Sequence, residues 1–283
     1  LVESIADLNA ILSSDSKIKR LISKELKSVA KKYGKDRKTS IISDTETEKL
    51  QAEDLIDDYT VKLFFTEHNY FKKIPLVSLR TSSEQKLKDD DNIVCEIECT
   101  NKSDVIFFSD KRNVYKMKLN DISDCKTSTL GEYLPNIIAM EEDEKILYCT
   151  ATTDYSGYIF YAFENGKVAK VSLNSYATKT NRKKLVNAYS AKSPVIGLRS
   201  AASDCDLVLV RDTDKALLFN TELIPLNATK SSGGIQVFTM KKKSIITRLF
   251  IAEEFVCDNI ESYRISKLTS SGTTMPDDER ESN

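Results

Sequence analysis

Lysine and arginine side chains that could neutralise phosphate groups recur along this chain, beside short apolar segments. The charge of the phosphate backbone dominates the affinity of proteins for nucleic acid, so such residues are candidates for a nonspecific binding surface. The candidates are Lys72, Lys73, Lys116, Lys118, Lys170, Lys179, Arg182, Lys183, Lys184, Lys241, Lys242 and Lys243. Lysines at the edges of hairpins also discourage edge-to-edge association, which is the alternative interpretation. Residues 151–200 carry a net charge of +6 and residues 101–150 one of −2, which predicts that basic potential lies in the later part of the chain.

Residues for other kinds of chemistry are sparse. The single histidine, His68, follows Glu67 in a turn and is interpreted as a solvated residue. Six scattered cysteines lack the close pairs and nearby histidines of a zinc site, and are interpreted as small buried hydrophobes in a reducing compartment. The carboxylate runs 89–91 and 141–144 are expected to be solvated loops. We find no nucleophile with an adjacent base and no phosphate-binding loop, so no catalytic site, cofactor or metal is predicted within these residues.

Composition is that of a soluble globular protein: of 283 residues, 30% are charged and 40% hydrophobic, with a formal net charge of −1. Any role with nucleic acid must therefore depend on local patches. No apolar run reaches the ~20 residues that span a bilayer, and the first residues lack the features of a signal peptide. We expect a cytoplasmic protein. The first residue is Leu1, which suggests a fragment of a longer chain.

Four hairpins recur in the middle of the sequence. They read VKLFFTEHNYFKKIPL, VIFFSDKRNVYKMKL, YIFYAFENGKVAKVSL and LVLVRDTDKALLFNT. Aligned on their turns, they place Asn69, Arg112, Gly166 and Asp214 at one position, spaced by 43, 54 and 48 residues. Recurrence at this period predicts a propeller-like array of four units. Three of the four turn residues tolerate a left-handed conformation, and Arg112 is the exception.

The remaining segments frame this array. Residues 1–41 are predicted to form a helical pair that is interrupted at residues 13–16 and ends at Gly34. Residues 42–57 form a polar linker, residues 58–256 the array, and residues 257–283 a largely disordered tail. Within the array, the strands that follow the hairpins are predicted at 93–99, 136–140, 195–200 and 244–251. If the last unit has an open edge, residues 256–267 could cover it.

Two stretches resemble a known family. KIKRLISKELKSVAKKYGKDRKTSI at 17–41 resembles the end of the coiled coil in the A subunits of bacterial type IIA topoisomerases, gyrase and topoisomerase IV. There, a helix is followed by a Gly-Asp-basic-basic-Thr segment, matched here by Gly34, Asp36, Arg37, Lys38 and Thr39. EDLIDDYTVKLFFTEHNYFKKIPL at 53–76 resembles the entry to the first blade of their C-terminal domain, and SDVIFFSDKRNVYKMKL at 103–119 resembles the second blade. The resemblance covers nearly all of residues 1–256.

This resemblance implies a mainly β fold, a β-pinwheel of about four blades that exchange strands and bend duplex DNA around a basic rim. It also implies that the fragment is not itself catalytic. The tyrosine that cleaves DNA would lie upstream, and the full enzyme would need Mg²⁺, ATP through a partner B subunit, and a homodimer of A subunits. The protein would then be cytoplasmic and associated with the nucleoid.

The sequence departs from gyrase in one loop. Gyrase carries a glycine-rich basic box after the first hairpin, whereas residues 81–92 read TSSEQKLKDDDN, with no glycine and with three aspartates that would repel a phosphate. A topoisomerase IV-like protein therefore fits better than gyrase. The alternatives are a protein-interaction propeller that has lost DNA wrapping, and a degenerate gyrase domain. Ser232, Gly233 and Gly234 either form a displaced basic box or a plain structural glycine pair.

Overall fold

The computed structural model describes residues 1–36, 39, 56–80, 84–141, 143–178, 183–227 and 229–282. Their contacts divide the chain into two compact units, Leu1–Leu55 and Ile56–Asn283. Most of the predicted linker, 42–57, lies outside the described residues. None of the helices among these residues is long and apolar enough to cross a membrane.

The first unit contains the two predicted helices, α1 (Val2–Leu12) and α2 (Asp15–Tyr33). The break between them falls at Ser13 and Ser14, as the loss of apolar spacing predicts. α2 ends at Gly34, which is extended (ψ 136°) and not left-handed. Two lysines in the last turn of α2 lie where they stabilise the negative end of the helix dipole.

The second unit contains sixteen strands and three short helices among the described residues. In chain order they are β1 (Thr60–Thr66), β2 (Tyr70–Pro75), α3 (Leu76–Leu79), β3 (Ile93–Thr100), β4 (Asp104–Ser109), β5 (Val114–Lys118), β6 (Glu132–Tyr133), α4 (Leu134–Ile138), β7 (Ile146–Thr152), β8 (Tyr158–Phe163), β9 (Lys167–Ser172), β10 (Lys184–Leu185), β11 (Val195–Ala201), β12 (Asp206–Arg211), β13 (Lys215–Asn220), β14 (Ile235–Gln236), β15 (Ile246–Ile251), β16 (Thr273–Thr274) and α5 (Asp277–Ser282).

These strands form four antiparallel sheets of four strands, which we call blades 1 to 4: β3-β1-β2-β6, β7-β4-β5-β10, β11-β8-β9-β14 and β15-β12-β13-β16. The inner strand of each blade contacts that of the next. The outer strands are exchanged, because β6, β10 and β14 each follow the hairpin of one blade and pair with the previous blade. This confirms the predicted four-bladed pinwheel with strand exchange.

The hairpins of blades 2 and 3 are apolar on both faces because each of these blades is packed between two neighbouring blades. Along β4, Val105 and Phe107 pack against blade 1, whereas Ile106 and Phe108 pack against blade 3. This two-sided burial explains why the sequence shows continuous apolar runs and not the alternating pattern of a half-exposed strand. Blade 1 has no preceding blade, and Lys62 replaces Val105 at the equivalent register and pairs with Glu96 at 2.6 Å.

The left-handed turns are confirmed at all four aligned positions. Backbone φ is 65° at Asn69, 62° at Arg112, 75° at Gly166 and 53° at Asp214. Arg112 therefore follows the pattern despite its side chain. The geometry of the hairpin fixes the conformation there, at a cost of about 1–2 kcal/mol for an L-residue other than glycine or asparagine.

Two predictions about the array were wrong. Residues 136–140 do not form an inner strand: 136–138 belong to helix α4, which has Pro135 in its first turn, and β7 takes that place ten residues later. A short apolar run does not by itself distinguish a strand from a buried helix.

The C-terminal residues 257–282 are also not a disordered tail. They contribute the outer strand of blade 4, and Tyr263 and Met275 are buried against it. The open edge of the last blade is thus paired by residues 273–274, and the segment 256–267 that was expected to cover it also contributes, since the Ile265 amide donates to the Leu218 carbonyl at 2.9 Å.

Candidate nucleic-acid interface

The second strand of three hairpins carries a lysine at one register, four residues after the turn: Lys73, Lys116 and Lys170. Each side chain points towards loops of the following blade, because this face of the hairpin packs against its neighbour. In blade 4 the position is Leu218, which packs against the C-terminal residues. The lysine is therefore found where another blade follows, and an apolar residue where the C-terminal segment covers the blade.

Two of these lysines tie adjacent blades together. The Lys73 ammonium lies 2.9 Å from Asn101 Oδ1, 3.1 Å from the Leu119 carbonyl and 2.9 Å from the Asp124 carboxylate, and the residue is buried. Lys170 is buried in the same way, with its ammonium 2.5 Å from Asp204 Oδ1. A buried charge requires such partners, so these contacts are structural.

Lys72 lies beside Lys73 in β2, on the opposite face of the strand, and is fully buried. Its ammonium donates to the carbonyl of Lys86 at 2.6 Å, and burial lowers its pKa. Lys72, Lys73 and Lys170 were predicted to contact DNA. We correct that expectation, because all three residues are buried.

The other predicted residues of blade 2 lie nearer the surface. Lys116 is half-buried and donates to Thr178 Oγ1 at 2.6 Å, and Lys118 is also half-buried. Lys183 is exposed and adjoins the exchanged strand β10, where its carbonyl accepts a hydrogen bond from the Lys116 amide. Lys184 pairs with Glu141 at 2.8 Å, and this hydrogen bond raises its pKa.

Lys179 and Arg182, also predicted to bind DNA, lie outside the described residues. The remaining predicted cluster, Lys241, Lys242 and Lys243, is exposed but lies at a different place. It precedes the inner strand β15, next to the hairpin turns of blades 3 and 4, where the Ile246 amide donates to the Glu164 carbonyl. The structure thus separates two basic regions that the sequence did not distinguish.

Four lysines were missed by sequence reasoning. Lys86 and Lys126 are exposed at the outer edge of blade 1, Lys192 is exposed beside Gly233, and Lys230 is half-exposed in the loop before β14. Together with Lys183 and Lys184 they lie on the exchanged outer strands or in adjoining loops. We call these six residues the outer rim. For Lys126 and Lys230, the signal that could have identified them is their position a few residues before a glycine, Gly131 or Gly234, that precedes a short strand.

The glycine that precedes an exchanged strand has a structural role in blades 1 and 3. Gly131 and Gly234 precede the exchanged strands β6 and β14 with φ of 85° and 68°. A Cβ at either position would lie within 2.4 Å of a carbonyl oxygen of the neighbouring strand, Phe71 or Val168. Gly234 is therefore needed for close backbone approach, which supports the structural reading of the Ser232-Gly233-Gly234 segment.

Two carboxylates expected in solvated loops are buried caps of hairpin turns. Asp91 accepts hydrogen bonds from the amides of His68 and Asn92, both at 2.9 Å. Glu144 accepts hydrogen bonds from Ser109 and, at 2.6 Å, from the Tyr115 hydroxyl. Burial alone would raise the pKa of both carboxyls, but these hydrogen bonds outweigh it and hold each pKa below its usual value. Neither carboxylate is available at the surface to repel DNA.

A pH-dependent effect of Glu144→Gln is expected. A depressed pKa in the folded state stabilises the fold above the unfolded value of 4.5, and this stability is lost as pH falls through the folded pKa. At pH 7 the variant should lose about 2 kcal/mol of unfolding free energy, because a buried acceptor network loses its charge. Urea unfolding from pH 7 to pH 3 should show the difference from the wild type shrinking below pH 4.5. A difference that stays constant with pH would contradict this assignment.

The other candidate groups have structural surroundings. The His68 side chain is 43% exposed, in agreement with a solvated turn. Tyr115 is fully buried between blades 1 and 2, and Tyr70 packs against Tyr133 at 5.6 Å between ring centres. All six cysteines are free, and the described residues contain no group of three or more potential metal ligands.

Comparison with known proteins identifies relatives along most of the chain. No family model matches. The gyrase A subunit of Staphylococcus epidermidis (strain ATCC 12228) is 23% identical over 264 residues, which are 89% of this chain and 29% of the relative. That of Staphylococcus aureus (strain COL) is 22% identical over 271 residues, 92% of this chain and 30% of the relative. The chain thus spans less than a third of the length of these curated relatives.

Solved structures share the fold. The C-terminal domain of a DNA topoisomerase IV superposes with a TM-score of 0.59 at 23% identity, over 70% of this chain and 62% of that one. A gyrase A C-terminal domain gives 0.53 at 15% identity, over 76% of each chain, and the Escherichia coli ParC C-terminal domain gives 0.58 at 11%, over 77% and 95%. By sequence and by fold, this chain is a homologue of the C-terminal region of type IIA topoisomerase A subunits, and it carries their β-pinwheel.

Proposed function

We propose that residues 56–282 bind duplex DNA along the outer rim, without reading its sequence, and bend it towards a catalytic core elsewhere in a longer chain. The supporting observation is the recurrence of exposed lysines beside the exchanged strands of blades 1 to 3. A row of cations along successive blades can neutralise several backbone phosphates, and contacts of this kind carry no base specificity. The structural relatives include C-terminal domains of DNA topoisomerase IV and gyrase A, which supports the assignment.

The activity of the full protein is part of this proposal. The chain spans only 29% of a curated gyrase A relative, so cleavage of DNA by a tyrosine, the requirement for Mg²⁺, ATP hydrolysis by a B subunit and dimerisation of A subunits would depend on other parts of the enzyme. The domain itself would act by capturing and bending DNA in the cytoplasm, in association with the nucleoid. This role needs electrostatics and shape, and no catalytic group of its own.

We also propose that the protein is topoisomerase IV-like. The loop after the first hairpin lacks glycine, and Asp91 at its end is a buried cap of the turn. A glycine-rich basic segment that replaced the whole loop would remove this cap. Wrapping of DNA with a fixed handedness, as in gyrase, is therefore less well supported than bending over the rim.

Charge reversal on the rim tests DNA binding. Fluorescence anisotropy would measure binding to a duplex of about 40 base pairs, which is long enough for several phosphate contacts on each strand. The wild type should bind with an affinity that falls steeply with salt. Changing Lys126, Lys183 and Lys192 to Glu should weaken binding by about 100-fold or more at 50 mM salt, because three phosphate contacts become repulsions.

The matched control reverses the same number of charges at the hairpin-turn end, by changing Lys241, Lys242 and Lys243 to Glu. The control should lose much less affinity than the rim variant. A larger loss in the control would place the DNA across the turns of blades 3 and 4. Absence of binding by the wild type even at low salt would favour the alternative function, a propeller that docks on another protein or on its own enzyme core.

A further inference from the structure

Two cysteines from different blades meet at the junction of blades 1 and 2. Cys95 lies on the inner strand β3 and Cys149 on the inner strand β7, and these two strands contact each other. The Cys95 thiol donates to the Cys149 carbonyl, with 3.9 Å between the sulfur and the oxygen. Both cysteines are free, so the junction holds two thiols side by side.

One side of this pair is covered and the other reaches a cavity. Both residues pack in the apolar cluster between blades 1 and 2, where Cys149 is 3% exposed and Cys95 is half-buried. Both also line the cavity between the inner strands, together with Arg199 of β11, which pairs with Glu254 at 2.9 Å. A small oxidant that enters the cavity meets Cys95 first, because Cys149 is the more deeply buried of the two.

The surroundings make Cys95 the more acidic thiol of the pair. A hydrogen bond from the Cys149 thiol and the positive charge of Arg199 lower the pKa of Cys95, against the effects of burial and of Glu96. The same hydrogen bond, together with burial, raises the pKa of Cys149. Cys99, on the same strand, differs, because burial raises its pKa to about 11. An accessible thiol of lowered pKa beside a second thiol is the arrangement that favours oxidation to a disulfide.

We infer that Cys95 and Cys149 form a disulfide when the protein meets hydrogen peroxide, and that this bond fastens blade 1 to blade 2 at their inner strands. The Cys95 thiolate attacks one peroxide oxygen, the O–O bond breaks, and the departing hydroxide takes up a proton to give water. The Cys149 sulfur then attacks the sulfenic sulfur of Cys95, the S–S bond forms, and the hydroxyl leaves with the Cys149 proton as a second water. Two electrons pass from the two sulfurs to the peroxide.

The test counts free thiols and locates the bond. The chain has six cysteines, all free in the reduced protein. After treatment with hydrogen peroxide, alkylation and peptide mapping by mass spectrometry should find two thiols lost and one linked pair of peptides, which contain Cys95 and Cys149. Dithiothreitol should restore both thiols. Cys95→Ser and Cys149→Ser should each abolish the linked pair, whereas the matched control Cys99→Ser should keep it.

Unfolding measurements separate a folding defect from a lost bond. Each reduced variant should unfold cooperatively, and Cys149→Ala provides a second, apolar replacement at the buried position. Oxidation should raise the urea midpoint of the wild type and of Cys99→Ser but not that of Cys95→Ser, because a cross-link between distant residues restricts the unfolded chain.

Three outcomes would overturn this inference. They are retention of all six thiols by the folded wild type after peroxide treatment, a link between other cysteines, and oxidation of Cys95 to a sulfinic acid without any link. Each of them would leave the proposed function intact, because DNA binding is measured on the reduced protein and does not depend on this bond.

Discussion

Deletion of residues 257–283 is expected to unfold blade 4 and to lower the free energy of unfolding by more than about 5 kcal/mol, given that each large buried side chain contributes about 1.5–3 kcal/mol. The deleted segment includes Tyr263 and Met275, which are 3% and 1% exposed. It also supplies the outer strand β16, which pairs with Lys215 and Ala216 of β13. Without it, the apolar face around Leu218 and an unpaired strand edge would face water.

Hydrogen exchange and urea unfolding would measure this effect. Amides of β12 and β13 should exchange much faster in the deletion variant, whereas those of β1 and β4 should be less affected, because repeat arrays are stabilised by neighbouring contacts. Met275→Ala should produce a smaller loss of about 2–4 kcal/mol. The control Val186→Ala changes a side chain that is 65% exposed and should stay within about 0.5 kcal/mol of the wild type. Unchanged protection of β12 and β13 after the deletion would show that the segment is not part of the blade.

Replacement of Lys170 by leucine is expected to lower the free energy of unfolding by about 3 kcal/mol, because removal of one partner leaves the other charge uncompensated. The lysine side chain is 7% exposed and joins β9 to Asp204, in the loop that leads into blade 4. Leucine is a suitable replacement, since Leu218 occupies the equivalent position in blade 4. The double variant Lys170→Leu, Asp204→Ala should recover part of the loss, because it leaves no unpaired carboxylate.

The same variant tests whether Lys170 is structural or binds DNA. Under conditions in which Lys170→Leu is folded, the salt dependence of DNA binding should match that of the wild type. The control Lys167→Leu removes a charge from the half-exposed end of the same strand and should cost much less stability. A slope reduced by about 0.9 in Lys170→Leu would show instead that this lysine contacts a phosphate.

Local features of the fold could be predicted from sequence because they depend on neighbouring residues. The helices α1 and α2 follow from apolar residues at 3-4 spacing, and the interruption between them from four short polar residues. The left-handed turns at Asn69, Gly166 and Asp214 follow from side chains that tolerate this conformation. Arg112 shows the limit of such reasoning, since the shared hairpin geometry imposes φ of 62° on a residue whose own preference opposes it.

The candidate interface was only partly predictable, because accessibility is a long-range property. Lys73 lies in β2 and Lys183 adjoins β10, but Lys73 contacts Asn101 and Leu119 whereas Lys183 faces solvent. Nothing local to either residue distinguishes the two environments. Similarly, Asp91 belongs to an acidic run that the sequence predicts to be exposed, but its carboxylate accepts a hydrogen bond from the His68 amide in the turn of the first hairpin.

The number of blades and the position of each hairpin follow from the sequence alone, since a strand buried on both faces must be apolar along its whole length and its turn must admit a left-handed residue. Tertiary packing, in contrast, sets which cations reach the surface, how the outer strands are exchanged and what covers the last blade. Those outcomes depend on residues brought together from distant parts of the chain: Lys170 meets Asp204, and β13 meets residues 273–274. A lysine therefore stabilises the packing of adjacent blades where it is buried, and is a candidate phosphate ligand where it lies on the outer rim.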